Sequence, residues 1–434
     1  MVTPQRRAVV GWCLYDWANS AFPTVVSTFV FAAYFTKGVA ANETEGTYLW
    51  GNATAIAAVG IAILSPMLGA IADRTGRRKP WLAACTIVCI LATAALWTVL
   101  PDPDYILRAL VLVVIATLGF EFANVFYNAM LPSVAPPGRM GRVSGIGWGC
   151  GYAGGLVCLV VALFGLVKAE PPPFGLDPDT AEPVRATVLL VAIWFAVFAL
   201  PTFLLVPEDD KAAGEPLGQA IADGCRQLWA TLRRLDPRSP VARFLVAHML
   251  YADGLTTLFT FGGIYAAGTF GMDFSEIIVF GIALNLTAGA GAMAFGWIDD
   301  WIGPKRAILA ALVGLILFGA LALVAPDKTW FWIAGMALGT FMGPAQAASR
   351  TLMAKLAPPE QSAEMFGLYA LSGKATNFAG PLTLGWATLL FDSQRAGMAT
   401  ILAFLVVGFL LLLTVREPLN RGAGPDADSL KGPA

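Results

Sequence analysis

Four ionisable side chains stand where water is scarce: Asp16, Glu121, Asp253 and Lys374 each interrupt a long apolar run. Near the centre of a bilayer such a group costs at least ~2.5–3.5 kcal/mol on insertion scales. Each must therefore be paired, protonated or turned towards an aqueous cavity. A lysine among carboxylates either holds one or more of them as an ion pair or holds the carboxylate of a bound molecule. An acid that exchanges its lysine for a proton couples proton movement to a change of shape. The structural alternative is a buried ion pair that fixes how helices dock. His248, the single histidine, precedes Asp253 by five residues and suits either a proton relay or a hydrogen-bonded structural ring. Asn19, Asn124, Asn128, Gln346 and Asn377 add uncharged polar groups at similar depth, fit to hold an amino group or an amide, or to join helices. Tyr15, Trp17, Tyr127, Trp148, Tyr152, Tyr251 and Tyr369 supply rings that either shape a pocket or pack.

These residues sit in a chain of 434 residues that is 57% hydrophobic and 13% charged, with a mean hydropathy of +0.68. A soluble chain carries about 25% charged residues, so this composition implies an integral membrane protein. A helix needs about 20 residues to cross ~30 Å of hydrocarbon. Twelve stretches meet that need, near 8–36, 47–72, 81–100, 106–132, 142–168, 185–207, 241–268, 274–298, 306–325, 329–355, 362–391 and 395–415. Alternating polarity of the barrel type is absent, so the expected fold is an all-α membrane bundle of twelve transmembrane helices. Most of the 28 Lys and Arg fall on one side of these spans, including Arg6, Arg74 to Lys79, Arg139, Arg142, Arg350, Lys355 and Arg416. The positive-inside rule then makes both termini cytoplasmic. The first span is too long, and too close to the start, for a cleaved signal peptide. No cysteine of the six faces an oxidising compartment on this topology, so no disulfide is expected.

The same composition excludes other classes. A net charge of −1 offers no footprint for nucleic acid. One histidine, no metal-ligand spacing and no GxxxxGK[ST] loop leave little room for an enzyme or an ATP-driven pump, so neither metal nor cofactor is expected. A non-transporting receptor or scaffold remains compatible with the spans alone.

The chain divides into a six-helix half over 1–207, a cytoplasmic linker over 208–240, a second half over 241–415 and a polar tail over 416–434. Apolar residues at helical spacing from Leu217 to Leu235, with basic ones between, fit an amphipathic helix on the inner membrane surface, or a plain linker with some helix. The halves echo each other. Gly69, Asp73 and Gly76 match Gly296, Asp300 and Gly303 at one constant offset of 227, in equivalent loops. Gly69 lets two helices approach closely, and Asp73 suits a helix terminus. Arg74, Arg77 and Arg78 pair with Asp73 or with the anionic head groups of membrane lipids. Such contacts latch one conformation and release it in another. The second copy has Trp301 where the first has Arg74, which predicts a weaker latch at Asp300. Glycine is dense from Gly145 to Gly155, a sign of close helix packing, and Gly380-Pro381 predicts a kink.

The loop from Gly69 to Lys79, GAIADRTGRRK, resembles the signature between the second and third helices of the major facilitator superfamily. Tyr15-Asp16-Trp17-Ala18-Asn19-Ser20-Ala21-Phe22 resembles the opening of the autophagy-related vacuolar amino-acid effluxers and their bacterial relatives. Gly343-Pro344 through Ser349-Arg350 to Pro358-Pro359-Glu360, and Phe366 through Tyr369 to Gly373-Lys374 with Gly380-Pro381, match the same family. The glycine-rich span is similar to a motif of superfamily exporters, with Tyr152 where that motif has proline. The resemblance covers nearly the whole chain. It implies a monomeric secondary carrier of a small polar metabolite, amino acids first, in a bacterial inner membrane, with protons as the coupling ion. It also implies that spans one, four and seven line the central cavity, which places Asp16, Glu121 and Asp253 around it. Export of lipid-like or drug-like amphiphiles is the alternative that the aromatic content keeps open.

Overall fold

The computed structural model describes residues 3–208, 217–234 and 236–417. Residues 209–216 and 235 of the predicted linker, and 418–434 of the predicted tail, lie outside the described residues. Six long helices come first: α1 (Pro4–Val39), α2 (Glu43–Thr75), α3 (Lys79–Thr98), α4 (Pro103–Ala129), α5 (Met140–Val167) and α6 (Glu182–Leu205). A shorter α7 (Leu217–Arg234) follows. Then come α8 (Pro240–Phe270), α9 (Phe274–Ile302), α10 (Pro304–Val324), α11 (Lys328–Leu356), α12 (Ser362–Lys374), α13 (Ala379–Phe391) and α14 (Gln394–Leu413). Among the described residues, ten helices are long and apolar enough to cross a membrane. The other two predicted spans correspond to the more polar α11, 29 residues long, and to the pair α12 and α13.

Short polar residues set the helix starts by accepting from backbone N–H groups that have no partner inside the helix. Asn42 caps α2 through Glu45 N at 2.9 Å, and Asp327 caps α11 through Trp330 N at 3.0 Å. Asp273 and Glu276 cap α9 reciprocally. Prolines explain two irregularities. Pro23 lacks an N–H, and α1 passes from α-helix at Asn19 into π-helical winding over Phe22–Phe29. The predicted span over 362–391 is broken rather than kinked, and the break lies at 375–378, ahead of Gly380-Pro381. Pro381 falls in the first turn of α13, where a missing N–H costs nothing.

The outer surface of the bundle carries its exposed apolar side chains, such as Leu107, Ile193, Val324 and Leu389, as a lipid-facing surface requires. Inside, α5 is wedged between α1 and α9. Gly147, Gly151, Gly154 and Gly155 face α1, while Gly141, Gly145 and Gly149 face α9. The glycine density legible in the sequence therefore serves two close helix crossings. The other major packing across the chain's middle sets α2 against α12.

Candidate functional site

Polar side chains line up along the axis of the bundle in layers. The first lies where α2 and α9 end. Gly69 sits so close to Ala363 and Glu364 that any Cβ would meet the Ala363 carbonyl. One turn on, Asp73 accepts from Ala363 N at 3.1 Å and Glu364 N at 2.8 Å, capping α12. Arg78 reaches Asp73 at 3.4 Å and also donates to the Ala129 carbonyl at 3.0 Å, while Gly76 ends α2 with a left-handed φ of 68°. Arg77 is exposed, and Arg74 lies in the last turn of α2.

The second copy is built the same way from the opposite direction. Asp300 accepts from Gly141 N at 2.7 Å and Arg142 N at 3.3 Å, capping α5, and pairs with Arg142 at 3.0 Å. Trp301 points outward, 87% exposed. Trp301 stands where the first copy has Arg74, and the arginine that pairs with Asp300 comes from α5. Asp299, next to Asp300, is buried against Gly141.

Arg350 forms the next layer, and here sequence reading misplaced a residue. Counted among the surface cations of one face, Arg350 is only 3% exposed. Its guanidinium spans α11 to the first helices: Nη1 to Asp16 Oδ2 at 3.0 Å and Asn128 Oδ1 at 3.3 Å, Nε to Ser144 Oγ at 2.9 Å, and Nη2 to the Ser144 carbonyl at 2.7 Å. It lies over Trp12 at 4.6 Å, with Tyr127 and Trp148 each at 5.7 Å. Gly147 leaves the space for this ion pair, since a Cβ there would stand 2.6 Å from Asp16 Oδ2 and 3.0 Å from Arg350 Nη2. Asp16 is thus tied to arginine and not to Lys374.

Lys374, the last residue of α12, meets Glu121 of α4 at 2.8 Å. Their side chains keep 30% and 19% exposure, against 3% and 12% for Arg350 and Asp16. Asp253 is not the partner of Lys374. Its Oδ2 accepts from Gly380 N at 3.1 Å, at the start of α13, and its Oδ1 has no hydrogen-bond partner. His248 joins Ser372 at 2.7 Å and stacks on Tyr369 at 4.1 Å, a structural setting among rings.

The uncharged residues divide similarly. Asn19 donates to Asn124 at 3.0 Å, and Tyr152 donates to Gln346 at 2.7 Å, bridging α5 and α11. Tyr251 is buried against Ser349 at 2.6 Å. Trp17 turns towards α6, stacking on Trp194 at 5.7 Å and lying edge-on to Phe198. Arg350, Trp12, Ser144 and Arg142 were not singled out as site residues. For Arg350 a signal existed: it follows Gln346 by four residues and so shares its helix face.

Beyond these layers, at the far end, lies a cavity of about 760 Å³. It opens between Thr24, Ser27 and Thr28 of α1, Trp50 and Thr54 of α2, and residues of α8 to α11 and α14. Among the described residues no charged side chain lines it; Phe259, Phe280, Phe331, Met342 and Asn285 do. The bundle is therefore sealed at the end bearing Asp73 and Asp300 and open at the other.

Comparison with known proteins bears on this geometry. The sequence model of a family described as "Vacuole effluxer Atg22 like" matches residues 42–423. An uncharacterized MFS-type transporter of Bacillus subtilis (strain 168), YxiO, is 27% identical over 422 residues, 96% of this chain and 97% of that protein. Autophagy-related protein 22-1 of Penicillium rubens is 24% identical over 296 residues, 63% of this chain and 49% of its own. Among solved structures, the human organic anion transporter MFSD10 superposes with a TM-score of 0.72 at 16% identity, covering 95% of this chain and all of that one.

Proposed function

Given that the chain belongs to the vacuole effluxer Atg22-like family and has the major facilitator fold of membrane transporters, we propose that it is a proton-coupled secondary carrier of small polar metabolites, amino acids first. Its two six-helix halves, 1–207 and 241–415, rock about a midplane site. The cavity end is the outer mouth, the sealed end faces the cytoplasm with both termini, and the membrane is a bacterial inner membrane. The chain acts as a monomer.

The observation that carries this reading is the Glu121–Lys374 pair at 2.8 Å, which joins the halves while its side chains keep 30% and 19% exposure. Lys374 lies eleven residues into the bundle from Ala363, about 16 Å at 1.5 Å per residue. A zwitterion entering there offers a carboxylate to Lys374, and Glu121, released, takes a proton or an amino group. Arg350 with Asp16, out of reach of water, serves as the seal beneath. Asp253 holds the start of α13, so that movement of the broken helix is felt at Lys374.

The test is uptake of a labelled amino-acid mixture into proteoliposomes, with and without an imposed proton gradient. Gradient-dependent flux is expected, with loss of at least about tenfold in Lys374→Ala at unchanged expression, the effect of about 1.4 kcal/mol. Full activity in that variant removes the lysine from the mechanism, and absence of any amino-acid flux in the parent removes the substrate class. The apolar lining of the cavity, with Phe259, Phe280 and Phe331 and no charge, favours one second reading, export of amphiphiles. The same vesicles distinguish it when loaded with a fluorescent amphiphile.

A further inference from the structure

The helix between the two halves touches both at the sealed end. Gly224 of α7 lies on the last turns of α2, where a Cβ would stand 3.0 Å from Ile71 N and Cα. Three residues on, Gln227 Nε2 donates to Glu364 Oε2 at 2.5 Å. Glu364 is fully buried, and its backbone N–H is one of the two held by Asp73. Gln227 is thereby the third member of the node formed by Asp73 and α12. Removing it leaves a buried carboxylate without its side-chain donor, since Glu364 Oε1 already lacks one.

The stripe of α7 that rests on the protein is Ala220, Gly224 and Leu228, four residues apart. A second apolar stripe is exposed: Ile221 at 46% and Trp229 at 58%. Arg233 lies over the Trp229 ring at 4.8 Å, and Arg226 stands exposed with Asp223 at 3.0 Å. The helix carries three arginines against one aspartate. An apolar stripe ending in an indole and bordered by guanidinium groups, at the end of a membrane bundle, matches an anionic bilayer surface in both polarity and charge.

We propose that α7 is seated on anionic lipid through Ile221, Trp229, Arg226 and Arg233, and that this contact holds Gln227 on Glu364. The anionic lipid content of the membrane then sets how firmly the sealed end stays shut. The full-length protein, its native cysteines replaced, is labelled with nitroxides at Tyr48→Cys and Gly281→Cys, on α2 and α9 at the cavity end. Tyr48 is 69% exposed, and a side chain at Gly281 meets nothing. The distance distribution is measured in vesicles of phosphatidylcholine alone and with added phosphatidylglycerol.

Added phosphatidylglycerol is expected to raise the ratio of wide to narrow separations at least twofold. Arg226→Gln with Arg233→Gln is expected to remove that response, and Gln227→Ala to lower the ratio in both vesicle types. An unchanged ratio in the parent, or an undiminished response in the arginine variant, overturns the proposal. A second readout needs no change at the latch: quenching of tryptophan emission by brominated phosphatidylglycerol, taken as the difference between the parent and Trp229→Phe. A quenched Trp229 component is expected. Its absence overturns the lipid seat and leaves the exposed stripe to a protein partner or to water.

Discussion

Arg350 is held by four hydrogen bonds at the interface between the halves, and its worth is a matter of differences. Burying a guanidinium and a carboxylate costs several kcal/mol each, which their attraction and the Ser144 and Asn128 contacts offset. Removing one partner strands the other. Arg350→Met is therefore expected to destabilise the protein by about 3–5 kcal/mol, while Asp16→Asn combined with Arg350→Met regains most of it. Thermal unfolding in detergent reads both. A double variant as unstable as the single one would mean that Arg350 acts through its stacking on Trp12 and not through Asp16. At this scale the sequence revealed the four charges inside apolar runs but not their pairing. Arg350 escaped because it stands near the end of an apolar run, close to Lys355, where composition cannot separate a buried arginine from one that marks the membrane face. The choice of Glu121 over Asp253 by Lys374 depends on how α4, α8 and α12 dock, which no local pattern records.

Among the elements, the latch helices were the most legible. The matched spacing at Gly69, Asp73 and Gly76 and at Gly296, Asp300 and Gly303 placed two acids at two helix ends, and each caps a helix across the interface. Their donors were not legible, because the N–H groups of Ala363 and Gly141 lie far away in sequence. The break between α12 and α13 was read one turn late, since Pro381 marks where a helix can begin as readily as where one must bend. Contact between α2 and α12 has no slack at Gly69, where even a methyl group meets the Ala363 carbonyl. Gly69→Leu is therefore expected to hold the sealed end apart. Ala363→Cys, buried in the parent background, is expected to react with a maleimide on the order of tenfold faster there, equivalent to about 1.4 kcal/mol. Equal reactivity in the two backgrounds would show that the helices part elsewhere.

At the scale of the whole molecule, the polar contacts described above join the halves through residues that do not line the cavity: the two aspartate caps, the Arg350 cluster, the Tyr152–Gln346 bond and the Glu121–Lys374 pair. A molecule sealed at one end and open at the other over about 760 Å³ is one member of a pair of states if it carries solutes by alternating access. The second state opens Ala363 and closes Thr28, which lines the cavity. The most direct measurement is maleimide reactivity at Thr28→Cys and Ala363→Cys, each in a background without native cysteines, in proteoliposomes before and after a proton gradient and a labelled amino-acid mixture are supplied. The account predicts that reactivity at 28 falls as reactivity at 363 rises. Two reactivities that rise together, or that stay fixed while solute moves, would contradict it.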